Sequence, residues 1–160
     1  MKVRLATIDD DRQLARLDAD GWSPEVEVVP PRHPSVPFFE GNRHPDDVLV
    51  VEENDAIIGY AHLSRHIPIE KNAHVLHLNS LVVSAEKRGI GVSHKLMRSV
   101  INEAYRRGIR KLGLRALSTN TVAVSLYRRH GFEIEGRLCQ EFVQPDGTYA
   151  DDLWMALFLD

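Results

Sequence analysis

One cysteine, Cys139, stands among 160 residues, so no internal disulfide can form and the core must hold the fold. Excess positive charge is also missing. Twenty Lys and Arg against 23 Asp and Glu leave a net charge of −3, which argues against nucleic acid, because neutralising phosphates needs a basic face. Long apolar runs are absent: none exceeds a few residues, against the ~20 that cross a bilayer, so no membrane partner is expected. The start, Met1-Lys2-Val3-Arg4-Leu5, has no apolar leader core. With the single cysteine, this gives the expectation of a cytoplasmic protein. Internal repeats and low-complexity tracts are lacking too. What is present is ample for a core. Hydrophobic residues make up 43% of the chain, and this length suits one domain over residues 1–160.

Residues 1–6 read as a short strand, and Thr7-Ile8-Asp9-Asp10 carries helix-start chemistry with Leu14 and Leu17 behind it. Residues 21–45 hold six of the eight prolines, with Trp22, Phe38 and Phe39 interleaved. Proline removes backbone donors, so this is neither a central strand nor a continuous helix. It reads as a substrate flap or a surface excursion. Strands follow at 48–51, 56–67 and 74–83, joined by short turns, which implies an antiparallel meander. Val92, Leu96, Met97, Val100, Ile101 and Ala104 then recur at three- and four-residue steps, predicting an amphipathic helix that Gly108 ends. A strand at 111–117, a helix at 119–130 stopped by Gly131, and a hairpin turning at Pro145-Asp146-Gly147 complete the chain. The expected class is mixed α/β: a mostly antiparallel sheet of six or seven strands, one right-handed crossover, and flanking helices.

Between the third strand of the meander and the first long helix lies Val83-Ser84-Ala85-Glu86-Lys87-Arg88-Gly89-Ile90-Gly91-Val92-Ser93. Two glycines let the backbone approach a ligand, and a helix start offers unpaired N–H groups with partial positive charge. Lys87 and Arg88 add full charge, so the turn suits a pyrophosphate. It is neither a Walker loop nor a dinucleotide fingerprint. An ordinary strand-to-helix connection would also read this way. Further on, Asn120, Ala123 and Tyr127 sit at three- and four-residue steps and share one helical face.

Arg88-x-x-Gly91-x-Ser93 resembles the Gln/Arg-x-x-Gly-x-Gly/Ala signature of the GCN5-related N-acetyltransferases, with serine in the closing small position. Glu86-x-x-Gly89-x-Gly91 is the other possible alignment, but a carboxylate there would repel phosphate. Asn120-x-x-Ala123-x-x-Leu126-Tyr127, followed by Gly131-Phe132, resembles the second hallmark of that family. The resemblance covers essentially the whole chain and implies acetyl-CoA as co-substrate. It also implies that backbone amides of Arg88, Gly89, Ile90, Gly91, Val92 and Ser93 hold the pyrophosphate. Leu81 and Val83 would pair with the pantetheine arm as a strand would. Asn120 would bond the same arm, and Tyr127 would act as general acid toward the leaving thiolate.

Many members of that family carry a glutamate eleven residues before the Gln/Arg; here the position is His77. Histidine can take a proton from an ammonium, so His77 is the candidate base, with bulk solvent or a water chain as the other route. Strand alternation would place His77, Asn79, Leu81 and Val83 on one face, with Asn79 orienting a water. The remaining histidines, His62, His66 and His74 included, read as solvated, and no metal site is expected. Arg106, Arg107, Arg128 and Arg129 suit helix ends or a cofactor phosphate. Glu40, Asp46, Asp47, Asp151 and Asp152 would frame the acceptor pocket or form a solvated rim. The reading is an acetyl-CoA-dependent N-acetyltransferase acting on a small-molecule primary amine, as a monomer or as a homodimer paired through an exposed strand or residues 153–158. A protein or ribosomal N-terminus is the other acceptor class. A non-catalytic acyl-CoA-binding regulator is the rival from another class.

Overall fold

The computed structural model describes residues 1–24 and 26–160. Seven strands form one sheet in the order β1-β2-β3-β4-β5-β7-β6. These are β1 (Lys2–Leu5), β2 (Val48–Glu53), β3 (Ala56–Ser64), β4 (Val75–Val83), β5 (Lys111–Leu117), β6 (Glu133–Val143) and β7 (Tyr149–Phe158). Only the β4–β5 pair is parallel; the other five are antiparallel. The helices are α1 (Asp11–Gly21), α2 (Val92–Arg106) and α3 (Thr121–Arg129). The expected class and strand count agree with this architecture.

Each sheet face has its own core. On one, α2 buries Val92, Leu96, Met97, Val100 and Ala104 against Ala61, Leu63, Leu76 and Leu78, the i, i+4, i+8 stripe meeting alternate strand positions. On the other, α1 lays Leu14, Ala15 and Leu17 against Val48, Val50 and Tyr60. Phe38 belongs to this second core, only 1% exposed and edge-on to Tyr60 at 5.1 Å. Residues 21–45 are therefore not a simple excursion. Their second half is pinned to α1, with the Phe39 N–H donating to Asp11 at 2.8 Å and Arg43 paired with Asp18 at 3.1 Å.

The opening turn is secured by a buried carboxylate. Asp10 accepts from Arg4 at 2.7 and 3.0 Å and from the Thr7 N–H at 2.7 Å. Arg4 first, then the Thr7 contacts, hold its pKa below the usual 3.8 against the opposing effect of burial. A lowered folded-state pKa stabilises the fold above the unfolded value, and that contribution disappears as pH falls through the folded value. Asp10→Asn is expected to destabilise the protein by about 1.5–3 kcal/mol at pH 7. Chemical denaturation across pH checks this: the gap between wild type and variant should narrow below pH ~4. A gap independent of pH would show that the charge is not what matters.

β3 ends at Ser64 rather than at residue 67, and β4 carries a bulge against it. His62 pairs Ser80 and Leu63 pairs Leu78, which leaves Asn79 as the extra residue. A bulge of one residue resets the two-residue side-chain alternation. Leu76, Leu78, Leu81 and Val83 consequently all join the α2 core, whereas His77 projects from the opposite face, beside Ser64 and His66. The expected common face for His77, Leu81 and Val83 is thus corrected.

Candidate active site

β4 and β5 stay paired only from Val75 to Leu78 and from Lys111 to Leu114. Beyond, β4 continues with β3 to Val83 and β5 continues with β7 to Leu117, so the sheet opens into a fork. The Ser84 N–H donates to Ile58 of β3 at 3.0 Å. Successive residues turn their polar groups to opposite strand edges, so Leu81 and Val83 aim theirs into the fork. Arg88 folds back over its mouth, its Nε donating to the Val83 carbonyl at 3.3 Å.

At that mouth the chain turns into α2. Gly89 and Gly91 adopt φ of 79° and 90°, and a Cβ on either would meet open space. Among the described residues, none of the N–H groups from Gly89 to His94 finds a main-chain acceptor; the first helical bond is Lys95 to Gly91 at 3.0 Å. Free donors at a helix start, with a guanidinium beside them, form an anion cradle. Ile90 is exposed, Ser93 half-buried, and Val92 lends only its N–H because its side chain is core. Lys87 is ion-paired with Glu53, which leaves Arg88 as the basic side chain of the turn.

Asn120 is the N-cap of α3, its Oδ1 accepting from the Ala123 N–H at 3.2 Å. That carbonyl is engaged in capping the helix, so the amide NH2 is the part of Asn120 that faces no protein partner. The other end of α3 fixes Tyr127. Gly131, at φ 88°, donates to the Arg128 carbonyl at 3.0 Å, and Phe132 donates to the Tyr127 carbonyl at 3.1 Å. This is a Schellman motif, and its accompanying apolar contact is between the rings of Tyr127 and Phe132, 6.1 Å apart. Burial first, then the Glu27 carboxylate, pushes the Tyr127 phenol up to about 12. The phenol therefore keeps its proton through the physiological pH range. Glu27, from the proline-rich segment, is itself raised by desolvation and by Asp18.

On the other face, His77 leans across Gly113, where a Cβ would stand 2.8 Å from its ring. The glycine is thus what makes room for the imidazole. His66 stacks on His77 with ring centres 3.8 Å apart and planes 3° from parallel, and Trp154 meets His66 edge-on at 6.4 Å. Among the described residues, His77 Nδ1 is buried without a partner. Burial first, then His66, lowers the His77 pKa to about 4. Asn79 contacts His66 at 2.9 Å and donates to Ser64.

Most acids expected to rim the pocket are neutralised: Asp47 by Arg107, Asp151 by Arg137 and Asp152 by Arg115. Arg106 and Arg107 both bind Glu103, and Arg107 also binds Asp47. His62 is buried rather than solvated. Leu153, Met155 and Ala156 are buried in β7, which through Ala156 is flanked by both β5 and β6, whereas Leu157 and Phe158 pair with β5. Sequence reasoning missed Glu27, His66 and Trp154. The isolated glycine in β5 was the available hint of a close approach there. Among the described residues, no group of three or more His, Cys, Asp or Glu could hold a metal ion, and no helix is long and apolar enough to cross a membrane.

A family profile described as the acetyltransferase (GNAT) family matches residues 12–132. The L-methionine sulfoximine/L-methionine sulfone acetyltransferase of Pseudomonas aeruginosa is 31% identical over 104 residues, which cover 65% of this chain and 59% of that protein. The ribosomal protein bS18-alanine N-acetyltransferase of Haemophilus ducreyi is 33% identical over 82 residues, covering 51% of this chain and 57% of the relative. The chain thus spans less than two-thirds of the length of either relative. A solved structure from Streptococcus mutans superposes with a TM-score of 0.87 at 28% identity, covering all of both chains.

Proposed function

The chain belongs to the GNAT acetyltransferase family, and from that premise we propose that it is a single-domain, acetyl-CoA-dependent N-acetyltransferase whose acceptor is a small-molecule primary amine. One observation carries this reading: a fork between β4 and β5 with a cradle of free N–H groups at its mouth, while Tyr127 packs against the α2-side core. The residues present fit the co-substrate. Arg88 and the amides of Gly89, Ile90, Gly91, Val92 and Ser93 would hold the pyrophosphate, and Leu81 and Val83 would bond the pantetheine arm, with the Asn120 NH2 alongside.

Acetyl-CoA, when bound, supplies an acetyl thioester that an unprotonated amine attacks directly. Backbone N–H groups at the fork polarise its carbonyl, a contribution of about 3–4 kcal/mol per donor in comparable acyl transfers. Tyr127 directs its O–H toward the leaving sulfur as general acid. The ammonium proton departs on the histidine-lined face, to a side chain or a water held there. Retention of Tyr127 in this setting argues against the non-catalytic acyl-CoA-binding alternative. The Haemophilus relative supports a second acceptor class, a protein N-terminus. Function as a monomer or homodimer in the cytoplasm is part of the same reading.

The test is acetyl-CoA-dependent thiol release with L-methionine sulfoximine, L-methionine sulfone, other amino acids, polyamines, aminoglycosides and short N-terminal peptides. Release with one small-amine class is expected. Release with peptides alone would move the acceptor to protein. Absence of release, together with no thermal protection by acetyl-CoA, would overturn the reading.

A further inference from the structure

The histidine-lined face contains a chain of hydrogen bonds with a fixed direction. Asn79 Nδ2 donates to Ser64 Oγ. Its Oδ1 therefore faces His66 Nε2, 2.9 Å away. A carbonyl oxygen only accepts, so Nε2 must carry the hydrogen, and in a neutral imidazole the lone pair is then on Nδ1. Among the described residues, His66 Nδ1 has no hydrogen-bond partner, and the residue is exposed. Serine and asparagine thus do for His66 what an orienting carboxylate does in other sites: they select the tautomer and hold the ring.

The position is as specific as the tautomer. Asn79 is the bulge residue immediately past Leu78, the last β4 residue paired with β5. The cluster consequently stands at the apex of the fork, on the face away from α2 and Tyr127. An amine approaching from this face would meet a thioester lying in the fork. Trp154 walls the same space.

His77 is poorly suited to the proton itself. Its Nδ1 is enclosed, and a group whose pKa has fallen to about 4 is a weak base toward an ammonium. Its ring instead forms the platform for His66. Arg65, next to His66 in the chain, is exposed, and the other charges flanking the cluster are paired. Arg115 and Asp152 pair with each other beyond Trp154, Lys111 and Glu135 pair beyond His77, and Asn79 and Ser64 are neutral.

We propose that His66 is the general base, its Nδ1 lone pair taking the proton from the acceptor ammonium, with His77 and Asn79 as positioning residues. The N–H bond of the ammonium breaks, its electron pair stays on the amine nitrogen for attack, and the imidazolium returns the proton to solvent. The assignment rests on the acetyltransferase reading above and names the base within it.

The experiment measures kcat/KM against pH with acetyl-CoA and the panel amine that gives the fastest release. His66→Gln is expected to lower kcat/KM about 100-fold near neutrality and to lose the wild-type acid limb. Its rate should converge on wild type at high pH, where the amine is already unprotonated. Asn79→Leu, which releases the tautomer, should lower the rate several-fold at neutral pH; His77→Gln should lower turnover evenly while keeping the acid limb. Acetyl-CoA should raise the melting temperature of all three variants as it does for wild type. A wild-type acid limb that survives unshifted in His66→Gln, or that disappears in His77→Gln while His66→Gln retains it, overturns the assignment alone. A wild type that neither releases thiol nor is protected by acetyl-CoA overturns the acetyltransferase reading and this assignment with it.

Discussion

Tyr127→Phe should lower turnover about 100-fold, equivalent to ~2.7 kcal/mol of barrier, and leave acetyl-CoA affinity close to wild type. The substitution removes one oxygen and keeps the ring against Phe132, so the end of α3 should not move. Because burial and Glu27 push the phenol up to about 12, wild-type activity should show no alkaline decline from this residue until pH approaches that value. Steady-state kinetics, with titration of acetyl-CoA by thermal shift, separate the two effects. Equal turnover in Tyr127→Phe would remove Tyr127 from the chemistry. Weaker acetyl-CoA binding at unchanged turnover would make it a binding residue instead.

Phe132→Ala should cause the largest loss of stability. Phe132 is 2% exposed, belongs to the α2-side core and is the apolar partner of the Schellman motif. Truncating a buried phenylalanine costs about 3–5 kcal/mol, which for a domain of this size lowers the melting temperature by roughly 6–20 °C. The consequence extends to the site, because the Tyr127 ring loses the surface it rests on. Turnover of the folded fraction, measured at low temperature, should fall as well. Phe132→Leu, which refills most of the space, should recover stability before it recovers rate. A melting temperature within about 2 °C of wild type would contradict the packing argument.

The parts legible in the sequence were those governed by local chemistry. The apolar stripe from Val92 to Ala104 and the glycines at 108 and 131 gave both later helices with their ends, because helix periodicity and a left-handed C′ residue are properties of a few neighbouring positions. The glycine turn was legible for the same reason. The face of β4 was not. Alternation carried from His77 to Val83 assumes an unbroken strand, and the bulge at Asn79 depends on how β4 pairs with β3, fifteen or more residues away. Asparagine within a run of valine and leucine was a weak sign of it, since asparagine is depleted in strands. His66 was hidden because its strand ends at Ser64, and its partners come from β4 and β7, far along the chain. Asn120 was legible as a helix-face residue but not as the cap, because three residues of spacing fit both.

The extra residue in β4 also determines what an insertion or deletion here would do. Removing Asn79 would make Leu78 and Ser80 consecutive opposite Leu63 and His62, which are already consecutive in β3, so the strand would regain strict alternation with every remaining side chain on its present face. Straightening the strand with Asn79 kept would instead turn either Leu81 and Val83 or Leu76 and Leu78 out of the α2 core. The deletion would thus spare the core and take away the Asn79 amide that contacts His66 and Ser64. Homologous chains that align without this residue would need a different arrangement of groups on the acceptor side of the fork.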